Sequence, residues 1–360
     1  MNTSAFFKDL KVIELSSVLA GPAVGMFFSE LGAQVIKIEN KPAGGDVTRS
    51  WKLPVEDPQC AYSAYFCAVN WQKEHHFLNL MLEKEQELVH QWIRSADVVI
   101  SNFKSSSAQK MRMDYDFLKS INPGLIFGQI FSFDEEKEIP AYDIVLQAET
   151  GFLYMCGEKG QKPVRMPVAM IDLMAAHQLK EGILLALIEK YRSGKGAFVS
   201  VSLYDAALAS LANQASNYLM TGTIPQPMGS RHPNIAPYGD VFVSKDGQML
   251  VFAVGTDAQF ERFCQMLDTA ALLQNPLFKT NAQRVANRNE LISALQEKIA
   301  LLKRIDILNA CRLNDIPAGS VKDMQEVFQE EAAQNLVLTE KMQDGKISKR
   351  IKSVVFKIRN

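Results

Sequence analysis

The chain has 360 residues, 47% of them hydrophobic and 22% charged, with a formal net charge of −1. That is the composition of a globular protein with room for one large domain and a smaller one. The charge balance argues against a nucleic-acid binder or a membrane-surface protein, so a phosphorylated ligand would need a local cluster of cations. The five cysteines (Cys60, Cys67, Cys156, Cys264, Cys311) are an odd number without a Cys-x-x-Cys pair and read as reduced, mostly buried thiols. The N-terminus shows no basic segment followed by an apolar run, and no uncharged stretch is long enough to span a bilayer. A cytoplasmic protein is expected.

Residues 11–15 read as a short apolar strand, 22–31 as a helix with Pro22 in its first turn, and 34–39 as a second strand after Gly32. A βαβ unit this compact implies a parallel sheet. The turn between them lacks Gly-x-Gly-x-x-Gly, so Glu39 alone is a weak match to a dinucleotide site. Residues 42–58, rich in Gly, Pro and Asp, form a long loop that carries Arg49 and Trp51, with Lys41 just before it. A strand near 77–80, a helix over 83–95, a strand over 97–101, a helix over 107–121 and a strand over 125–133 continue an α/β alternation.

Leu173, Ala176, Leu179, Ile183, Leu187 and Tyr191 recur at helical spacing, and Gly194 supplies the stop. A strand over 197–203 and a helix over 204–220 follow. Residues 221–238 carry four prolines and read as a linker. A hairpin over 241–253, turning at Asp246-Gly247, and helices over 257–267 and 289–303 make a smaller α+β domain. The polar tail ends in an apolar strand over 354–358. The expected organisation is a large α/β, Rossmann-like domain over 1–222, a small domain over 223–330 and a C-terminal segment, 331–360, returning to the large domain.

The five histidines form neither His-x-x-x-His nor His-Glu-x-x-His, which disfavours a zinc hydrolase. No Gly-x-Ser-x-Gly elbow is present, and residues 193–196 lack the pattern of a phosphate loop. His177 reads as a polar residue on a partly exposed helix face, and Glu181 and Asp205 as surface or capping carboxylates. The candidate that remains is Asp172, which closes the apolar run 168–171 and opens the long helix. It has two readings. As an N-cap it would accept the bare first-turn N–H groups. As a functional residue it would be kept anionic by those same dipoles and serve as a nucleophile.

Residues 10–22 (LKVIELSSVLAGP), 31–39 (LGAQVIKIE) and 44–49 (GGDVTR) closely resemble the start of the class III CoA-transferase family. That family includes formyl-CoA and carnitine CoA-transferases and the related α-methylacyl-CoA racemases. The likeness continues in order through 96–103 (ADVVISNF), 142–147 (YDIVLQ), 192–196 (RSGKG), 201–205 (VSLYD) and 229–238 (GSRHPNIAPY). It implies an enzyme that moves CoA from an acyl-CoA to a carboxylate, with Asp172 forming an acyl–aspartyl anhydride and then an aspartyl-CoA thioester. It also implies an interlocked ring-like homodimer with the active site between large and small domains. Coenzyme A would be a substrate, with no permanently bound cofactor and no metal.

By position in the family pattern, CoA contacts fall on Leu19, Ala20, Asn40, Val69, Asn70, Lys73, Asn102, Phe103, Lys104, Lys110, Tyr142 and Asp143. Asn40 and Lys110 stand where arginine is common, which implies a phosphate grip redistributed to Lys41, Lys73 and Lys104. Racemases of the family resemble His-Asp where this chain has Tyr142-Asp143; without that histidine, proton transfer at an α-carbon lacks a partner and transferase is favoured. Val254-Gly-Thr-Asp257 carries a single glycine, which disfavours oxalate chemistry. A racemase of the same family and a non-catalytic CoA-binding subunit are the alternatives.

Overall fold

The computed structural model describes residues 5–342 and 344–359; the first four residues of the stretch read for a leader lie outside them. The chain divides into two compact units, one of Met1–Tyr154, Val164–Pro225 and Gln334–Asn360, the other of Met155–Pro163 and Gln226–Ala333.

The first unit is built on a six-stranded parallel sheet: β1 (Lys11–Leu15), β2 (Gln34–Asn40), β3 (Glu74–Leu78), β4 (Val98–Ser101), β5 (Ile126–Phe131) and β6 (Ala197–Ser202), in the order β3-β2-β1-β4-β5-β6. β1 and β4 are buried along almost their whole length, as strands covered on both faces must be. The order reverses between β1 and β4, and in open α/β sheets ligands bind outside the carboxyl ends of the strands at that point. β3 is an edge strand, polar and half exposed, which hides its pattern in the sequence.

Helix Ala20–Glu30 is buried along nearly every residue and packs in the same core as the long helix Met170–Ser193. The long helix lies close on β5 and β6 because two glycines make room. A Cβ on Gly128 would meet Ile183 at 2.8 Å, and one on Gly182 would meet Val199 at 2.5 Å. Gly194 ends the helix in the left-handed region (φ 72°), as expected of a C-terminal glycine.

Three expectations are corrected. The helix over 107–121 is two helices, Ser105–Lys110 and Tyr115–Ile121; Arg112 turns left-handed (φ 54°) and Asp114 caps the second by accepting from Phe117 N. The helix over 204–220 likewise breaks at Ala212 (φ 47°) into Leu203–Ala209 and Ala212–Thr221. Residues 354–358 form no strand; Ser353 and Val354 donate their N–H groups to the Glu30 carboxylate at 2.7 and 2.8 Å. The tail hairpin is instead β10 (Val337–Lys341) with β11 (Ile347–Ile351).

The second unit holds the antiparallel sheet β7 (Tyr238–Val243), β8 (Met249–Ala253) and β9 (Ala318–Ser320). Helix Asp257–Met266 opens with a capping box between Thr256 and Gln259 and packs Phe260 and Phe263 into a core with Phe242 and Phe252. All five cysteines are free thiols. No helix among the described residues is long and apolar enough to cross a membrane.

Candidate active site

Asp172 is the third residue of helix Met170–Ser193, not its cap; Ala169 holds that position and offers no side-chain bond. The carboxylate that serves the first turn belongs to Asp143, at the start of helix Asp143–Glu149. Its Oδ2 accepts from Ile171 N at 2.7 Å and from Asp172 N at 3.4 Å. Its Oδ1 accepts from the Gln147 amide, whose own oxygen accepts Met166 N at 2.9 Å. The cap reading of Asp172 thus gives way, because a neighbouring acid already satisfies the amides it would have taken.

Asp172 is 7% exposed, and among the described residues no group donates a hydrogen bond to its carboxylate. Burial, and then the negative charge of Asp143, push it up to about 7. Against the expectation that helix dipoles keep it anionic, burial and the like charge of Asp143 both act to favour its neutral form. Tyr65, half-buried, faces the same pair; burial raises its phenol, the charges of Asp172 and Asp143 raise it further, and Arg165 opposes them. Trp51 stands edge-on to Tyr65 at 5.2 Å between ring centres and to Tyr142 at 6.1 Å, so three aromatic rings form one wall. Tyr65 carried no sequence signal, since only the fold brings residues 65 and 172 together. His177 is exposed on the helix, as expected.

A separate cavity of about 460 Å³ lies at the carboxyl ends of the first four strands. It brings together Asn40, Phe103 and Lys110 of the expected CoA contacts, along with Ser16, Ser17 and Asp46. Asn102 fixes its rim at the reversal of strand order, accepting from Ser17 N at 3.1 Å and donating to Ser17 O at 2.9 Å. The Ser16 hydroxyl is buried with no hydrogen-bond partner among the described residues. Lys41, Lys104 and Lys110 are exposed cations. Leu19 and Ala20 are buried at the start of helix Ala20–Glu30, behind Val18, whose N–H is held by Asp46. Tyr142 is largely exposed, and Asp143 is buried in the clamp just described.

Val69, Asn70 and Lys73 lie elsewhere. They are buried, and the Lys73 ammonium donates to Pro22 O at 2.8 Å and Asn70 Oδ1 at 3.0 Å and pairs with Glu14 at 2.7 Å. Burial pulls Lys73 down to about 8 against the opposing Glu14 charge. With three donors and three oxygens, it has none left for a phosphate. Glu39 is also committed, to a bidentate pair with Arg49 at 2.6 Å on each arm and to His75 at 2.8 Å, so it has no part in holding a ribose.

Residues 7–360 match the family model described as CoA-transferase family III. The chain is 38% identical over 325 residues to "Succinate--glutarate CoA-transferase" of Agrobacterium fabrum, covering 89% of this chain and 80% of that protein. It is 33% identical to human "Succinyl-CoA:glutarate CoA-transferase", covering 92% and 75%. Its fold is similar to the crystal structure of a CAIB/BAIF family protein from Brucella suis, with a TM-score of 0.82 at 36% identity over 96% of this chain and 91% of that one.

Proposed function

The chain belongs to CoA-transferase family III, and from that premise we propose that it moves CoA from an acyl-CoA to a free carboxylate through a covalent bond to Asp172. The observation that carries this is a buried carboxyl, held near neutrality and free of hydrogen-bond donors, beside an aromatic wall. An Asp172 oxygen adds to the thioester carbonyl, the C–S bond breaks and CoA leaves as thiolate, giving an acyl–aspartyl anhydride. The thiolate then attacks the aspartyl carbonyl, releasing the first acid and leaving an aspartyl-CoA thioester. The acceptor carboxylate attacks that thioester, forming a second anhydride and freeing the thiolate once more. Thiolate attack on the new acyl group yields the product and restores Asp172. Every intermediate is a reactive acyl donor and must be kept from water; half-buried Tyr65 is the ring placed beside Asp172 to do so.

CoA is a substrate on this reading. Its phosphate-bearing end fits the cavity lined by Asn40, Phe103 and Lys110, with Lys41 and Lys104 as further cations and the free Ser16 hydroxyl as a donor. The two glutarate-named relatives favour a pair of dicarboxylic substrates. The exposed Arg165 guanidinium, near enough to Tyr65 to lower its phenol, supplies a cation for the far carboxylate. A homodimer is proposed as well. Leu185, Ile188 and Tyr191 on the long helix, and Leu219 and Met220 on helix Ala212–Thr221, are exposed apolar side chains that a second copy would cover.

The test is exchange of CoA from succinyl-CoA onto a panel of free acids, followed by mass spectrometry. The reading expects new CoA esters with the wild-type enzyme and none with Asp172→Ala. Exchange surviving in Asp172→Ala would overturn it. Solvent deuterium entering an α-carbon with no acceptor acid present would mark a racemase instead.

A further inference from the structure

Asp143 is spent twice over in this structure. One oxygen of its buried carboxylate anchors the first turn of the long helix through Ile171 N and Asp172 N, and the other takes the Gln147 amide, which in turn fixes the chain at Met166. Among the described residues no other charged group bears on Asp172. Tyr65, from the short helix Ala64–Cys67, stands beside the pair, and Arg165, from the segment leading into the long helix, bears on Tyr65. Two acids thus share one buried corner, and only one of them is hydrogen-bonded.

We infer that Asp143 is the positioning residue for Asp172: it clamps the turn that carries the nucleophile, and its fixed negative charge makes the neighbouring carboxylate a stronger attacking group. The inference rests on Asp172 being the nucleophile. Asp143 accepts hydrogen bonds from Ile171 N, Asp172 N and the Gln147 amide, whereas the Asp172 carboxylate accepts none from the described residues, so the two acids divide their roles by environment. When Asp172 attacks a thioester it becomes a neutral anhydride, and its repulsion from Asp143 disappears. The strain present in the free enzyme is released in the acyl-enzyme, which favours acylation. The step balances without a further reactant: the Asp172 oxygen gains the acyl carbon and the C–S electron pair departs on the thiolate.

Asp143→Asn keeps an oxygen for Ile171 N and removes the charge; Asp143→Ser is a second uncharged variant should the first fail to fold. The rate of Asp172 acylation by succinyl-CoA is followed across pH by hydroxylamine trapping and peptide mass spectrometry. In the wild type the rate should rise through an acid limb near neutrality. In the uncharged variants that limb should move down by roughly one pH unit, and the high-pH plateau should fall several-fold. A purely structural role would lower the plateau and leave the limb in place. An unmoved limb, with Asp172 still acylated, overturns the inference and spares the nucleophile. Absence of an aspartyl adduct in the wild type overturns both.

Discussion

Replacing Asp172 with asparagine should abolish CoA transfer and make the protein more stable at alkaline pH. The wild-type carboxyl is raised from 3.8 to about 7 in the folded chain, by burial first and by Asp143 second. A raised carboxylate gives stability that is fully present below the unfolded value, near 3.8, and is lost as pH climbs through the folded value, near 7. At 1.36 kcal/mol per unit, the loss by pH 8 is roughly 4 kcal/mol. Asparagine does not titrate and nearly matches the neutral acid in shape. Wild type and Asp172→Asn should therefore unfold alike at pH 4, and a gap favouring the variant should open with rising pH. Urea unfolding at pH 4, 6 and 8, followed through tryptophan fluorescence, measures it. A variant less stable than wild type by about 1 kcal/mol at every pH is what loss of a helix cap gives, and that result would refute the reasoning.

Lys73→Met should destabilise the fold by about 1–3 kcal/mol, because it strips the donor from Pro22 O and Asn70 Oδ1 and leaves buried Glu14 with Lys37, at 2.9 Å, as its remaining cation; thermal unfolding reads this directly. Lys110→Ala removes an exposed cation at the cavity rim and should raise KM for the CoA ester about twofold to fivefold, with kcat and melting temperature unchanged. Arg49→Lys should cost about 1–3 kcal/mol in chemical denaturation. Lysine cannot reproduce the two bonds to Glu39 or the stacking of the guanidinium over Phe66, 3.9 Å from the ring centre.

Much of the sheet was legible in the sequence because its inner strands are buried on both faces and rich in β-branched and apolar residues, such as Val12, Ile13 and Leu15 or Val98, Val99 and Ile100. Gly194 and the Asp246-Gly247 turn announced themselves by backbone chemistry. Edge strand β3 did not, since a half-exposed strand tolerates Glu74, His75 and His76. The breaks at Arg112 and Ala212 depend on left-handed residues with no glycine to mark them. At the site, Asp172 is legible as an acid closing an apolar run, but the ionisation of its carboxyl is not. Its environment is set by Asp143, 29 residues earlier, and by the fold that buries both. Lys73 read as a free cation, because Glu14 and Pro22, which claim it, are far away in sequence.

The covalent claim is tested most directly by incubating the enzyme with succinyl-CoA, quenching with borohydride or hydroxylamine, and sequencing the peptide that carries residue 172 by tandem mass spectrometry. The account predicts a reduced or hydroxamate side chain at Asp172 that forms only when the thioester is supplied. An unmodified Asp172 in an enzyme that is turning over, or an adduct on another residue, would contradict it.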